Sequence, residues 1–253
     1  MVLSPSDAAI GLLVTALLAA VAIRLQALTF RGGAVAFVFG SVIVALAGFA
    51  FLALLALFVM ASVLATRFQF EEKARRHVQE GTRGERGVSN VLAHIVVPMA
   101  LVLSAWLWSS VLPAAALAVL YASALAFGAS DTFASEFGVL AGGARSVLTG
   151  KPVTPGTNGG ISAVGEVWGL IGAFLTASVG FGLFSIFSTP TGSPALFLLV
   201  VTAAGFLGCQ VDSVIGEVLE NRGVLSKGGT NFVAMLSSVV LAVVLLRLLG
   251  GWP

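Results

Sequence analysis

GGAVAFVFGSVIVALAGFAFLALLALFVMASVLAT, Gly32 to Thr66, contains no ionisable side chain. A run this long and apolar reads as membrane-spanning helix, because hydrocarbon accepts a backbone only when its N–H and C=O groups pair within the segment. At about 20 residues per crossing, the stretch from Gly33 to Ala65 is too long for one helix and only long enough for two short ones. The expected break lies near Ala47-Gly48. Everything else in the chain is read outward from that pair.

The rest has the same character. Of 253 residues, 58% are hydrophobic and only 9% charged, with a mean hydropathy of +1.06, whereas a soluble domain carries about a quarter charged residues. The expectation is an all-α polytopic helix bundle, a single transmembrane domain over residues 1–253 with the lipid bilayer as its surroundings. A net charge of +2 gives no argument for nucleic acid as a partner. The lone cysteine, Cys209, excludes an intramolecular disulfide and a multi-cysteine metal site. The opening MVLSPSDAAIGLL lacks a basic n-region and a small-residue cleavage site, and is read as the start of the first span.

Spans are expected at roughly Ala8–Leu28, two within Gly33–Ala65, Ser89–Trp108 with Pro98 as a tolerated kink, Leu112–Phe127, Ile161–Phe187, Ala195–Val211 and Asn231–Leu249. With eight crossings and both termini outside, Arg24, Arg31, the basic loop 67–88, Arg145, Lys151, Arg222 and Lys227 all fall on the cytoplasmic side, leaving Arg247 opposite. Reading Gly33–Ala65 as one helix would separate Arg24 and Arg31 from the main basic loop. The connections on the other side are short and uncharged, so the activity is expected at the cytoplasmic face of a cell membrane.

Two stretches carry polar chemistry. Asp131-Thr-Phe-Ala-Ser-Glu136 and Asp212-Ser-Val-Ile-Gly-Glu217 both read D-[ST]-x-x-[SG]-E at the end of an apolar run. Each is followed by a glycine-rich loop with a lysine, Lys151 or Lys227, and then by Gly-Thr-Asn before the next run, at Asn158 and Asn231. This predicts parallel internal helix–loop–helix repeats, hairpins 112–187 and 195–249. Glu71, Glu72 and Lys73 with Ser89-Asn90 form a weaker third copy.

Such hairpins favour phosphate. A helix N-terminus presents unpaired N–H groups and partial positive charge, and glycines let backbone approach an anion closely. Thr157, Asn158, Gly159, Gly160, Asn231 and Asn90 are therefore candidate phosphate or nucleotide contacts, the asparagines as N-caps. Lys151, Lys227, Lys73 and Arg67 are candidate sources of positive charge, with Arg83 and Arg86 as further clamps. The carboxylates have the wrong sign for phosphate. Asp131, Glu136, Asp212 and Glu217 suit Mg²⁺, which is shared between one or two carboxylates and substrate phosphates. Residues five apart on an ideal helix point about 140° away from each other, so the helix is expected to end or unwind between Asp131 and Glu136. The bland alternatives are a cap for each asparagine, water contact for the acids and a solvated surface for the basic loop. His94 is read as a helix–helix hydrogen-bonding group, and Glu166 as a site residue or the partner of a basic group. Gly150-Lys151 is followed by proline, so the P-loop pattern fails.

GASDTFASEFG, TGKPVTPGTNGGIS, GCQVDSVIGE and TNFVAMLSS, with TRFQFEEK and RGVSNVLA, resemble a family of integral membrane proteins that includes plant phytyl-phosphate kinase and its bacterial, archaeal and animal relatives. The resemblance covers most of the chain from Thr66 onward. It implies a CTP-dependent kinase that converts an isoprenoid alcohol monophosphate, of the phytyl or geranylgeranyl type, to its diphosphate with Mg²⁺. It also implies Asp131, Glu136, Lys151, Thr157, Asn158, Asp212 and Asn231 as site residues; Glu166 stands where relatives are expected to carry a neutral residue. On this reading Asp131, Asp212, Lys151 and Arg67 are the catalytic candidates. Two other readings stay open: a cytidylyltransferase that makes a CDP-lipid, and a transporter or flippase for a phosphorylated lipid, which inverted repeats and a midplane site would favour.

Overall fold

The computed structural model describes residues 5–81 and 83–252; Met1–Ser4, part of the stretch read above as opening the first span, lie outside it. Among the described residues eight helices are long and apolar enough to cross a membrane. They are α1 (Pro5–Arg24), α2 (Phe30–Ala47), α3 (Phe49–Arg67), α5 (Val88–Leu107), α6 (Ala114–Ala141), α7 (Ala163–Ile186), α8 (Pro194–Ile215) and α9 (Lys227–Leu248). Between α3 and α5 lies a short helix, α4 (Phe70–Arg75). The break in the long apolar run falls at Gly48, whose φ of +97° is a conformation that residues with a Cβ rarely adopt.

The expected span 112–127 is corrected. Helix α6 continues through Asp131 and Glu136 to Ala141 without unwinding, and stops only at Gly142 and Gly143, with φ of +73° and +70°. No proline interrupts 128–141, and packing against α7 and α8 overrides the turn signals of Gly128, Ser130, Ser135 and Gly138, so the backbone bonds propagate. Twenty-eight residues make ~42 Å of helix, more than the ~30 Å hydrocarbon thickness, and the acids occupy the overhang. Helix α8 also outruns its expected end and passes into a π-helical turn, Gly216–Glu220. Helix α9 begins at Lys227, four residues before Asn231, because the Ser226 side chain caps it by accepting from Gly229 N–H.

Helix α6 is the axis of the bundle: every residue from Ala116 to Ser130 is buried, whereas α1 is mostly exposed and its surface is left for lipid. It packs against α3, α5, α7, α8 and α9. In lipid no hydrophobic force separates helix from solvent, so close packing of small residues and interhelical hydrogen bonds hold the helices together. Gly172 of α7 sits against the Ala129 carbonyl and Gly205 of α8 against Ala126, where an added Cβ would come within 2.7 Å and 2.6 Å of α6 atoms. Tyr121 Oη donates to the Phe51 carbonyl at 3.1 Å, and Ser238 Oγ donates to the Ser123 carbonyl at 3.0 Å, tying α3 and α9 to the axis. Between α6 and α7 the chain forms a small antiparallel hairpin, β1 (Arg145–Ser146) with β2 (Gly160–Ile161).

Alanine in place of glycine normally favours a helix by about 1 kcal/mol, but overpacking costs about 1–3 kcal/mol. Gly205→Ala is therefore expected to lower the melting temperature of the detergent-solubilised protein. Gly182→Ala, where nothing stands within 4 Å of the new Cβ, is expected to leave it unchanged or raise it.

Candidate functional site

At one end of the bundle the terminal turns of α6 and α8, the starts of α7 and α9, the hairpin loop and the segment after α4 enclose a cavity of about 200 Å³. Of the residues singled out in the sequence, Asp131, Glu136, Thr157, Asn158, Gly159, Gly160, Asp212, Lys227 and Asn231 line it. The close glycine contacts of α7 and α8 with α6 are what bring the two acidic helix ends to one space.

The carboxylates facing this cavity differ in their commitments. Glu136 meets Lys73 Nζ at 2.6 Å, both side chains buried, and the same ammonium donates to the Ala65 and Thr66 carbonyls. All three Lys73 donors are thereby used, and Lys73 stands behind the cavity wall. Glu166 accepts from Gln210 Nε2 at 2.8 Å, so its partner is an amide and not the basic group considered above. Glu220 accepts from Asn158 Nδ2 at 3.0 Å. Glu80 pairs with Lys227 at 2.8 Å. Burial opposes ionisation of Glu80, but Lys227 outweighs it and holds this carboxyl below its ordinary range. Asp131 accepts no hydrogen bond among the described residues, and Asp212 Oδ1 is buried without a partner. These two acids are the ones left for a ligand.

No group of three or more His, Cys, Asp or Glu among the described residues is arranged to hold a metal by itself. Two free carboxylates nevertheless fit Mg²⁺, which keeps waters and completes its shell with substrate phosphate. Glu217 is turned elsewhere: it accepts from Ser146 Oγ at 2.6 Å and from Leu148 N–H at 3.3 Å. Asp131 and Glu136 stay on one continuous helix and face differently, one to open cavity and one toward Lys73. That is how residues about 140° apart are accommodated.

The N-cap roles of the three asparagines are corrected. Ser162 caps α7 by accepting from Gly165 N–H, Ser226 caps α9, and Gly87 precedes α5. Serine hydroxyls take these positions because they stand immediately before the first helical residue with extended backbone. Asn158 instead lies in the hairpin loop. Asn231 is one turn inside α9, buried and on the cavity wall, its side chain without a hydrogen bond among the described residues. Asn90 accepts from Arg86 Nη1 at 2.9 Å.

The remaining cations stand apart from the cavity. Lys151 is exposed in the hairpin, and Arg67 donates to the Leu25 carbonyl. Arg83 is exposed. Arg86 is buried and bonds Thr66 Oγ1 at 3.3 Å as well as Asn90; burial pushes its guanidinium below the ordinary range against the pull of Glu80, Glu136 and Asp131. His94 bonds within its own helix, Nδ1 to the Asn90 carbonyl at 2.9 Å, and not across to another. The sequence reading missed Glu80, which sits in a segment read as solvated surface, and Glu220, whose spacing from Glu217 by one turn was a usable signal.

The integral membrane protein family DUF92 matches residues 13–243. This chain belongs to the DUF92 family. An uncharacterized membrane protein of Methanocaldococcus jannaschii is 29% identical over 82% of the chain and 81% of the relative. Protein PGR of Arabidopsis thaliana is 31% identical over 71% and 68%, and an uncharacterized membrane protein of Synechocystis is 31% identical over 81% and 76%. No solved structure matches the chain. The cavity at the loop end of the bundle therefore belongs to a DUF92 membrane domain.

Removing one member of a buried ion pair costs about 3–5 kcal/mol, whereas replacing both by apolar groups is often neutral. Lys73→Met is expected to cause a large drop in the melting temperature of this DUF92 protein, and Lys73→Met with Glu136→Leu to recover most of it. Thermal unfolding in detergent measures both.

Proposed function

We propose that this DUF92 protein is a membrane phosphotransferase. It moves the terminal phosphoryl group of a nucleoside triphosphate, CTP, to an isoprenoid monophosphate of the phytyl or geranylgeranyl type. The observation that carries the reading is the cavity itself. It sets two uncommitted carboxylates, Asp131 and Asp212, opposite Lys227, Asn231 and the glycine-rich loop Gly156–Gly160. The N–H groups of Asn158 and Gly159 carry no hydrogen bond among the described residues, and adjacent free N–H groups with glycine at φ of +87° and +79° suit an anion. Support for the isoprenoid and for CTP comes from the motif resemblance, and the distribution of basic residues supports a cytoplasmic site.

In this reaction the P–O bond to the terminal phosphorus of the triphosphate breaks and a new one forms to an oxygen of the acceptor monophosphate, leaving CDP and a lipid diphosphate. The acceptor is already ionised, so no strong general base is required. Positioning and charge neutralisation are the main tasks. Asp131 and Asp212 would hold Mg²⁺, which supplies positive charge where phosphate charges gather. Lys227 and the loop N–H groups bind phosphate oxygens, and the Asn231 amide donates into the cavity. The apolar tail stays in lipid or between helices while the phosphate reaches the overhang of α6.

Purified protein with Mg²⁺, CTP and geranylgeranyl or phytyl monophosphate is expected to yield CDP and the lipid diphosphate. Asp131→Asn and Asp212→Asn are each expected to lower kcat by at least ~100-fold. Release of pyrophosphate would replace the kinase by the CDP-lipid transferase, and liposome transport without product would replace it by a carrier. Full activity of both variants would remove the metal role.

A further inference from the structure

The turn that ends α8 does something the proposed reaction does not by itself require. Helix α8 finishes in a π-helical turn, Gly216–Glu220, a geometry that is rare and concentrated at functional sites. Three side chains in and beside that turn grip the hairpin loop through four hydrogen bonds. Glu217 takes Ser146 Oγ and Leu148 N–H on its two carboxylate oxygens, at 2.6 Å and 3.3 Å. Glu220 takes Asn158 Nδ2 at 3.0 Å, and Asn221 Nδ2 donates to the Asn158 carbonyl at 3.1 Å. Gly159 lies so close that a Cβ there would collide with the Glu217 side chain. Within the loop, the β pairing at its base is joined by Thr157 N–H to the Thr154 carbonyl, Gly160 N–H to the Thr157 carbonyl and Val147 N–H to the Gly159 carbonyl; the bonds from the α8 end fix this folded loop against the cavity. Its free N–H groups, at Asn158 and Gly159, sit between the grips.

We infer that Glu217 and Glu220 are positioning residues for an anion cradle: the π-turn carboxylates hold the loop 155–160 in the shape that offers its N–H groups to phosphate. Asp212, one turn before the π-turn on the same helix, is thereby kept in register with the cradle. Glu217 accordingly acts through the loop and does not coordinate a metal. The inference rests on the anion-binding reading of the cavity but not on which phosphate reaction occurs there.

Two measurements test it on the full-length protein in detergent. The first follows tryptic cleavage after Arg145, which is exposed at the hairpin base, with Mg²⁺ and inorganic pyrophosphate as the probe. Pyrophosphate is expected to slow cleavage of the wild type several-fold. Glu217→Ala is expected to be cut about tenfold faster and to lose that protection, while Glu217→Gln, which keeps the length and one acceptor oxygen, restores most of both. The second measures phosphoryl transfer. Glu217→Ala and Glu220→Ala are expected to raise KM for CTP about tenfold with kcat lowered less than threefold, and with an unchanged Mg²⁺ requirement. A Mg²⁺ requirement in Glu217→Gln raised as far as in Asp212→Asn would make Glu217 a metal ligand and overturn the inference. Cleavage and protection in Glu217→Ala equal to wild type would overturn it too, as would a wild type that pyrophosphate does not protect. The expected cleavage pattern in a protein that forms no lipid diphosphate would keep the cradle and discard the kinase.

Discussion

The arrangement depends on how closely α7 and α8 approach α6. Where Gly172 meets the Ala129 carbonyl and Gly205 meets Ala126, no side chain separates the helices, and lipid cannot enter between them. Such contact is the main source of helix association in a solvent as apolar as the protein itself. It has a positional consequence as well. Asp131 lies two residues beyond Ala129 and Asp212 lies two turns beyond Gly205, so the same contacts that hold the bundle deliver both acids to one cavity.

That cavity sorts its charges by pairing. Buried carboxylates are costly unless matched, and four of those around the cavity have partners: Glu136 with Lys73, Glu80 with Lys227, Glu166 with Gln210 and Glu220 with Asn158. Asp131 and Asp212 have none among the described residues. The contrast separates acids that stabilise walls from acids that await a cation, a distinction that residue type alone does not make. Arg86 shows the same economy among cations. Its backbone bonds to Ala27 and Thr29 and its side chain to Thr66 and Asn90, so it joins the linker between α1 and α2 to the ends of α3 and α5.

Hydropathy was enough to read eight crossings and the hinge at Gly48, because the demand for internal backbone pairing leaves a long apolar run few options. The acid and glycine motifs were enough to find most of the cavity wall. What stayed hidden was set by tertiary contact. The continuity of α6 past Asp131 and the π-turn after Ile215 override the local turn signals of glycine and serine. Asn158, Asn231 and Asn90 have good cap chemistry, yet serines with the right backbone angles take the caps of α7 and α9. Lys73 has the composition of a surface residue and is fully buried, because Glu136 lies 63 positions away in the sequence and nothing local announces the pair. Loops 142–162 and 221–226 also differ, the first carrying a β-hairpin and the second none, so the likeness of the two acid motifs does not extend to their surroundings.

Cys209 lines the cavity wall one turn before Asp212, and it is the one cysteine in the chain. Its thiol is buried in that wall, so a reagent reaches it only when the wall opens. Slow alkylation by reagents graded by size and charge would therefore report how often the wall opens and which sign of ion it then admits. A fluorine-bearing reagent would place a magnetic-resonance reporter there with every other residue unaltered.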